Sequence, residues 1–197
     1  DDKESQLMAD GWHPYGCDDA IALNVADSWY YNWHTHPDCG MNTTCSRPYC
    51  GGKPRAAEFL PLIAKEVLCT PSCKANLDPN YKRIWRDAGV RHLSAFNEPD
   101  LHDKLSAKRA AELWVQVQEI AEEFDPPLVL VSPQLCIYYD GPASPWLKDF
   151  LGHCSELEGC DPDKIKYIGY HYYTGKTTDV GKELSDRAAA FYNAFGR

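Results

Sequence analysis

Short apolar runs alternate with helix-period stretches along most of the chain. Strand-like runs fall at 10–16, 27–33 (DSWYYNW), 57–64 (AEFLPLIA), 90–96, 127–133 (PLVLVSP) and 165–173 (IKYIGYHYY). Pro61 weakens the third, because proline gives no N–H to a ladder. The continuous apolar run of the fifth predicts a strand buried on both faces. Between them the period changes to that of a helix. Leu113, Val117, Ile120 and Phe124 fall on one face of a helix that Ser106 can cap. Asp78-Pro79 reads as the start of a helix that Gly89 ends, and Ser144-Pro145 as the start of another with Leu147, Phe150, Leu151 and Cys154 inward. A short helix is predicted at 18–24, and a last one at 182–195 with Leu184, Ala188 and Phe191 inward and Gly196 as its C-terminal cap. Strands alternating with helices predict an α/β fold with a parallel sheet. The expected architecture is of the (β/α)8 TIM-barrel type, incomplete in this chain, with about six β/α units in one domain over 1–197.

A barrel of this type carries its site at the C-terminal ends of its strands. Polar and aromatic clusters fall at four of the predicted ends: Asn32-Trp33, Asn97-Glu98, Ser132-Pro133 and His171-Tyr172-Tyr173. Packing alone gives no reason for this grouping, so one shared pocket is expected. In SAFNEPD, Glu98 ends an apolar run, beside Asn97 and before Pro99. Desolvation disfavours a charged carboxylate there, which suits a proton donor near neutral pH. Pro99 is expected to hold Glu98 extended and so help to aim it.

Composition narrows the chemistry. Lys and Arg number 20 against 29 Asp and Glu, a net charge of -9 with no basic stripe. That argues against nucleic acid and against an anionic membrane surface as partners. No apolar run is long enough to insert in a membrane, whereas a neutral substrate fits. Six Trp, 12 Tyr and 6 Phe, several beside polar residues, suit a sugar-binding surface. Nine cysteines point to an oxidising compartment, and Asn42-Thr43-Thr44 is a glycosylation sequon. Both suggest secretion, as does a start at Asp1 without Met, which a processed chain would show. The odd cysteine is either a free thiol, a link to another chain, or half of a pair whose partner lies outside this sequence. A loop insertion at 34–56, rich in Cys, Gly and Pro, contains His34-x-His36-x-x-Cys39. Its spacing matches no standard zinc finger and disulfides explain its cysteines more simply, so neither metal nor cofactor is expected.

FNEPD after a fourth strand resembles the acid/base motif of clan A retaining glycosidases. DSWYYNW, AEFLPLI, LSAFNEPD, LVSP, WLKDFL and YIGYHYY follow one another as in glycoside hydrolase family 128, a family of β-1,3-glucanases. This resemblance implies a secreted hydrolase of the extracellular space or cell wall, acting on β-glucan polysaccharide. It implies that Glu98 is the general acid/base and that Asn97 binds the sugar 2-hydroxyl beside the scissile bond. It further implies that Trp29, Tyr31, Asn32 and Trp33 line the substrate groove, with His171 and Tyr173 on the wall after the sixth strand. Ser132 is expected as a strand-end structural serine or a substrate hydrogen bond. A retaining mechanism needs a second carboxylate about 5–5.5 Å from the first. The family carries it on a seventh strand, in a Trp-x-Thr-Glu-Phe-like motif that this sequence lacks, so the nucleophile is expected beyond Arg197. The rival expectation is a non-catalytic glucan-binding or structural matrix protein on the same scaffold.

Overall fold

The structure is a computed structural model that describes residues 29–31, 33, 35, 49–50, 53–54, 58–69, 75–101, 104–136, 144–173 and 179–196. The strand and helix expected before residue 25 lie outside them, as do His34, His36, Cys39 and Asn42. The chain divides into two compact units, one of 1–62 with 77–91 and one of 63–76 with 92–197.

In the first unit, β1 (Trp29–Tyr30) pairs in parallel with β4 (Glu58–Phe59), Trp29 opposite Glu58. Strands β2 (Tyr49–Cys50) and β3 (Lys53–Pro54) form an antiparallel hairpin. Helix α1 runs Tyr81–Asp87 and buries Trp85. It starts later than Asp78-Pro79 suggests, because the Asp78 carboxylate accepts the Asn80 N–H at 2.7 Å and closes a turn ahead of the helix. Gly89, at φ +68°, ends this segment where an L side chain would be strained. The buried Glu58 carboxylate takes the main-chain N–H of Arg91 at 3.0 Å and its guanidinium at 3.0 and 2.7 Å.

The second unit is built on a four-stranded sheet in the order β5 (Leu62–Ile63, entering this unit at Ile63), β6 (His92–Ala95), β7 (Val129–Val131), β9 (Ile165–Tyr167). β6 to β7 and β7 to β9 are parallel, as the alternation of elements requires. A second parallel pair, β8 (Leu135–Cys136) with β10 (Tyr170–His171), continues two of these runs beyond a break. The break is where the structure departs from the predicted single strands at 57–64, 127–133 and 165–173. Between Leu130 and Val131 the register shifts, and Gly169 lies so close to the Gln134 side chain that a Cβ there would fall 2.2 Å from its Nε2. Among the described residues no sheet closes into a barrel.

Helix α2 (Ala107–Glu122) begins at Ser106, whose hydroxyl accepts the Arg109 N–H at 3.2 Å. Its predicted face is buried: Leu113, Val117 and Ile120, with Phe124 just beyond its end. Helix α3 (Pro145–Glu156) has Pro145 in its first turn and Ser144 as cap, accepting the Leu147 N–H at 3.3 Å. Leu147, Phe150 and Cys154 are buried, while Leu151 is only half-buried. Phe150 meets Trp114 edge-on at 5.4 Å and stacks on Trp146 at 5.5 Å, welding α2 to α3. The Cys154–Cys160 disulfide ties the end of α3 to the single-turn 3-10 helix Pro162–Lys164 that leads into β9. Helix α4 (Val180–Phe195) corrects an expectation: Phe191 is buried and stacks on Tyr170 at 5.2 Å, but Leu184 and Ala188 are exposed. Gly196 closes α4 in the left-handed conformation, its N–H on the Tyr192 carbonyl at 2.7 Å.

Candidate active site

The NEPD segment is a built turn. Past β6 the chain stays bonded to its neighbours: Phe96 N–H donates to Ile63 O at 2.9 Å, and Gln134 N–H to Phe96 O at 3.1 Å. Asn97 bridges in parallel to Gln134, and Glu98 N–H donates to Gln134 O at 2.7 Å. Leu101 N–H then donates to Glu98 O at 3.0 Å, which closes a β-turn over 98–101. Pro99 occupies the second position of that turn, where its fixed φ is an advantage. Glu98 itself is at φ +46° and Phe96 at φ +63°. The expected extended Glu98 is therefore corrected: the hydrogen bonds on both sides of the residue outweigh the local influence of Pro99. Non-glycine residues held in this region cost on the order of 1–3 kcal/mol each and gather at functional sites. Asp100 fastens the turn from the far side, Oδ1 accepting the Cys136 N–H at 2.9 Å.

This turn delivers the Glu98 carboxylate into a nearly closed place, 3% exposed. Its Oε1 is shared by His171 Nδ1 at 2.8 Å and by the Tyr173 hydroxyl, which donates at 3.2 Å. His171 and Tyr173 are two apart at the end of β10, so an extended chain points them to one side. Tyr172, between them, points the other way and gives its hydroxyl to Glu183 of α4, with the Arg187 guanidinium 4.7 Å from its ring centre. Partial burial, then the neighbouring Glu98 charge and the hydrogen bond to it, then Cys136, push the Tyr173 phenol above its ordinary pKa. Tyr173 is therefore a neutral donor to the carboxylate at any ordinary pH. On the preceding residue, Asn97 Oδ1 is buried and has no hydrogen-bond partner among the described residues. An unsatisfied buried oxygen is rare and calls for a donor, which a bound hydroxyl would provide.

The strand ends around this turn share a network of polar bonds. Ser94 Oγ donates to Ser132 O at 2.8 Å, and Gln134 Nε2 donates to Ser94 Oγ at 2.8 Å. Ser132 Oγ accepts the Gly169 N–H at 3.0 Å and donates to Pro133 O at 3.0 Å. Ser132 is fully buried, so of its two expected roles the structure favours strand-end support. Ser94, Asp100, Gln134 and Gly169 were not foreseen from sequence. The signal available for Gln134 was its place directly after the strand-end pair Ser132-Pro133.

Asn97, Glu98, Ser132, His171 and Tyr173 thus come together in the second unit. His171 is only 8% exposed, so it backs the carboxylate instead of forming an open wall. The Tyr173 ring is half exposed. Tyr31 and Trp33 belong to the first unit, where they meet edge-on at 5.1 Å, with Trp33 at φ +59° and half exposed. Trp29 lies in β1, and Asn32 lies outside the described residues.

The pattern of the glycosyl hydrolase catalytic core family matches residues 12–196, and the chain belongs to that family. Its fold is that of β-1,3-glucanases of glycoside hydrolase family 128, which bears out the resemblance read from the motifs. The subgroup I endo-β-1,3-glucanase of Amycolatopsis mediterranei, solved with laminaritriose, superposes with a TM-score of 0.61 at 24% identity over 93% of this chain. The subgroup V exo-β-1,3-glucanase of Cryptococcus neoformans gives 0.53 at 24% identity over 86%. The subgroup IV endo-β-1,3-glucanase of Lentinula edodes gives 0.54 at 16% identity over 84%. The chain spans 64% of the Amycolatopsis enzyme and 55% of each of the other two. No curated protein matches the chain.

Proposed function

We propose that this chain carries the acid/base half of a secreted, retaining glycosidase acting on β-1,3-glucan. The observation that carries the reading is the Glu98 carboxyl, buried on a turn, with two anchors on Oε1, next in sequence to Asn97, whose buried Oδ1 has no partner among the described residues. In the first step Glu98 protonates the leaving glycosidic oxygen. In the second it takes a proton from the water that releases the glycosyl-enzyme. Asn97 Oδ1 accepts from a sugar hydroxyl, and the exposed Tyr173 face packs on a sugar ring. The retaining mechanism requires, besides Glu98, a second carboxylate as nucleophile about 5–5.5 Å from it. Solved relatives bound to laminaritriose and laminaripentaose support the substrate class.

The test is hydrolysis of laminarin by the natural full-length protein, with the anomer of the first product read by NMR. Retention of configuration is expected. Glu98→Gln should lower turnover ~10²- to 10⁴-fold, the usual share of a general acid/base. Unchanged turnover in that variant refutes the assignment. Glucan binding with no reducing ends released would favour the non-catalytic matrix protein instead.

A further inference from the structure

We infer that His171 is a positioning residue for Glu98: with Tyr173, it clamps one carboxyl oxygen and fixes the direction from which the acid delivers its proton. The inference rests on the glycosidase reading above and goes beyond it, since neither the motif nor the comparisons give His171 this work. Three observations carry it. The imidazole is 8% exposed and its Nδ1 is 2.8 Å from Oε1, so that nitrogen serves the carboxylate and not a ligand. Its backbone is fixed by the β8 to β10 register, His171 opposite Cys136. Cys136 N–H is in turn held by Asp100 of the turn that carries Glu98, which closes a ring of contacts from carboxylate to histidine and back.

Among the described groups, Glu98, the Tyr173 ring edge-on at 6.3 Å and Cys136 across the strand pair face His171. Two partners bonded to a single oxygen leave a carboxyl little freedom to rotate. The general acid of a glycosidase has to meet one lone pair of the leaving oxygen, so this rotation decides catalysis. A neutral imidazole carries its hydrogen on one nitrogen only. The clamp requires that nitrogen to be Nδ1 while Glu98 is a carboxylate.

The test compares two substrates in the natural full-length protein. Laminarin has a poor leaving group and needs protonation, while an aryl β-glucan-oligosaccharide with a dinitrophenol leaving group does not. Loss of the clamp in His171→Ala should lower kcat on laminarin ~10- to 100-fold, the scale of a misplaced catalytic group. KM on laminarin should move far less. Compared as kcat/KM, which leaves out the later water step where Glu98 acts as base on either substrate, the laminarin loss should exceed the aryl-glycoside loss by at least about tenfold, because only laminarin needs the acid in the first step. His171→Asn, whose amide nitrogen falls close to Nδ1, should restore most of the laminarin rate. Equal losses on both substrates, or no rescue by Asn, overturn the inference in favour of a purely structural histidine.

A second measurement separates failure of the clamp from failure of the glycosidase reading. Long-range proton–nitrogen NMR of this chain, with the His171 signal assigned by His171→Asn, should show hydrogen on Nδ1 at neutral pH and a changed pattern in Glu98→Leu. Hydrogen on Nε2, or one unchanged pattern in both proteins, overturns the clamp whether or not laminarin is cleaved. If the clamp signature is present and laminarin is not cleaved, the glycosidase reading fails and the histidine–carboxylate contact stands.

Discussion

Gly169→Ala should destabilise the protein, against the usual effect of that substitution. Gly169 does not have a positive φ, so the backbone accepts alanine without strain. At such a position Gly→Ala commonly stabilises by ~0.4–1 kcal/mol, because the unfolded chain loses freedom. Here an added Cβ would lie 2.2 Å from Gln134 Nε2 and 2.6 Å from both Cδ and Oε1. These atoms end a flexible side chain, so the amide swings aside while the sheet holds. Yet Gln134 is 6% exposed and its Nε2 is bonded to Ser94 Oγ. Moving it breaks that bond in a buried place, which costs about 1–3 kcal/mol. The penalty exceeds the entropic gain, and a net loss of ~1–2 kcal/mol follows. Urea unfolding checks it as a lower midpoint at unchanged slope. The mechanism also predicts a reversal: with Gln134→Ala already present, the space is open and Gly169→Ala should stabilise. A Gly169→Ala protein as stable as the parent, or a destabilisation that persists beside Gln134→Ala, refutes the reasoning.

Three other outcomes follow from the same contacts. Ser144 and Ser106 cap helices by equivalent bonds, but Ser144 is buried and Ser106 exposed. Ser106→Ala should cost ~1 kcal/mol in thermal unfolding, and Ser144→Ala about 2, since water cannot replace its bond to Leu147 N–H. Arg91→Ala removes the guanidinium from the buried Glu58 and leaves the main-chain bond, so a loss of about 1–3 kcal/mol is expected, checked by urea unfolding beside Glu58→Gln. Tyr173 has its phenol pKa raised above the ordinary 10.0, so the folded state holds this proton more tightly than the unfolded one. Its contribution is complete below pH 10.0 and is lost as pH rises from there through the folded value. Tyr173→Phe should flatten that alkaline fall in a stability–pH series, and a slope unchanged from the parent would contradict it.

The helices were readable because their signals are local. Ser106, Ser144, Gly89 and Gly196 act within a few residues of themselves, and each sits where the sequence placed a cap or a stop. The strand ends were not, because what breaks them comes from elsewhere in the chain. No pattern within IKYIGYHYY shows that Gly169 presses on Gln134, 35 residues away by number (169 less 134). The inward face of α4 failed for the related reason that a 3.6-residue period marks an apolar stripe without showing what lies against it. Phe191 has Tyr170 to stack on, while Leu184 is left exposed.

The site shows the same division at finer scale. Residue types alone brought Asn97, Glu98, His171 and Tyr173 to one place, since strand ends of a parallel sheet gather there. Strand alternation also separates Tyr172 from its two neighbours, and the structure follows it: Tyr172 turns to Glu183, His171 and Tyr173 to Glu98. What alternation cannot give is depth. His171 and Tyr173 share a face, yet one is 8% exposed and the other 55%. Depth is set by the 98–101 turn, whose bonds to Gln134 and Cys136 draw Glu98 inward until its carboxylate reaches the imidazole. The proline in NEPD thus shapes the turn after the acid, and the aim of the acid comes from strands that arrive more than thirty residues later in the sequence.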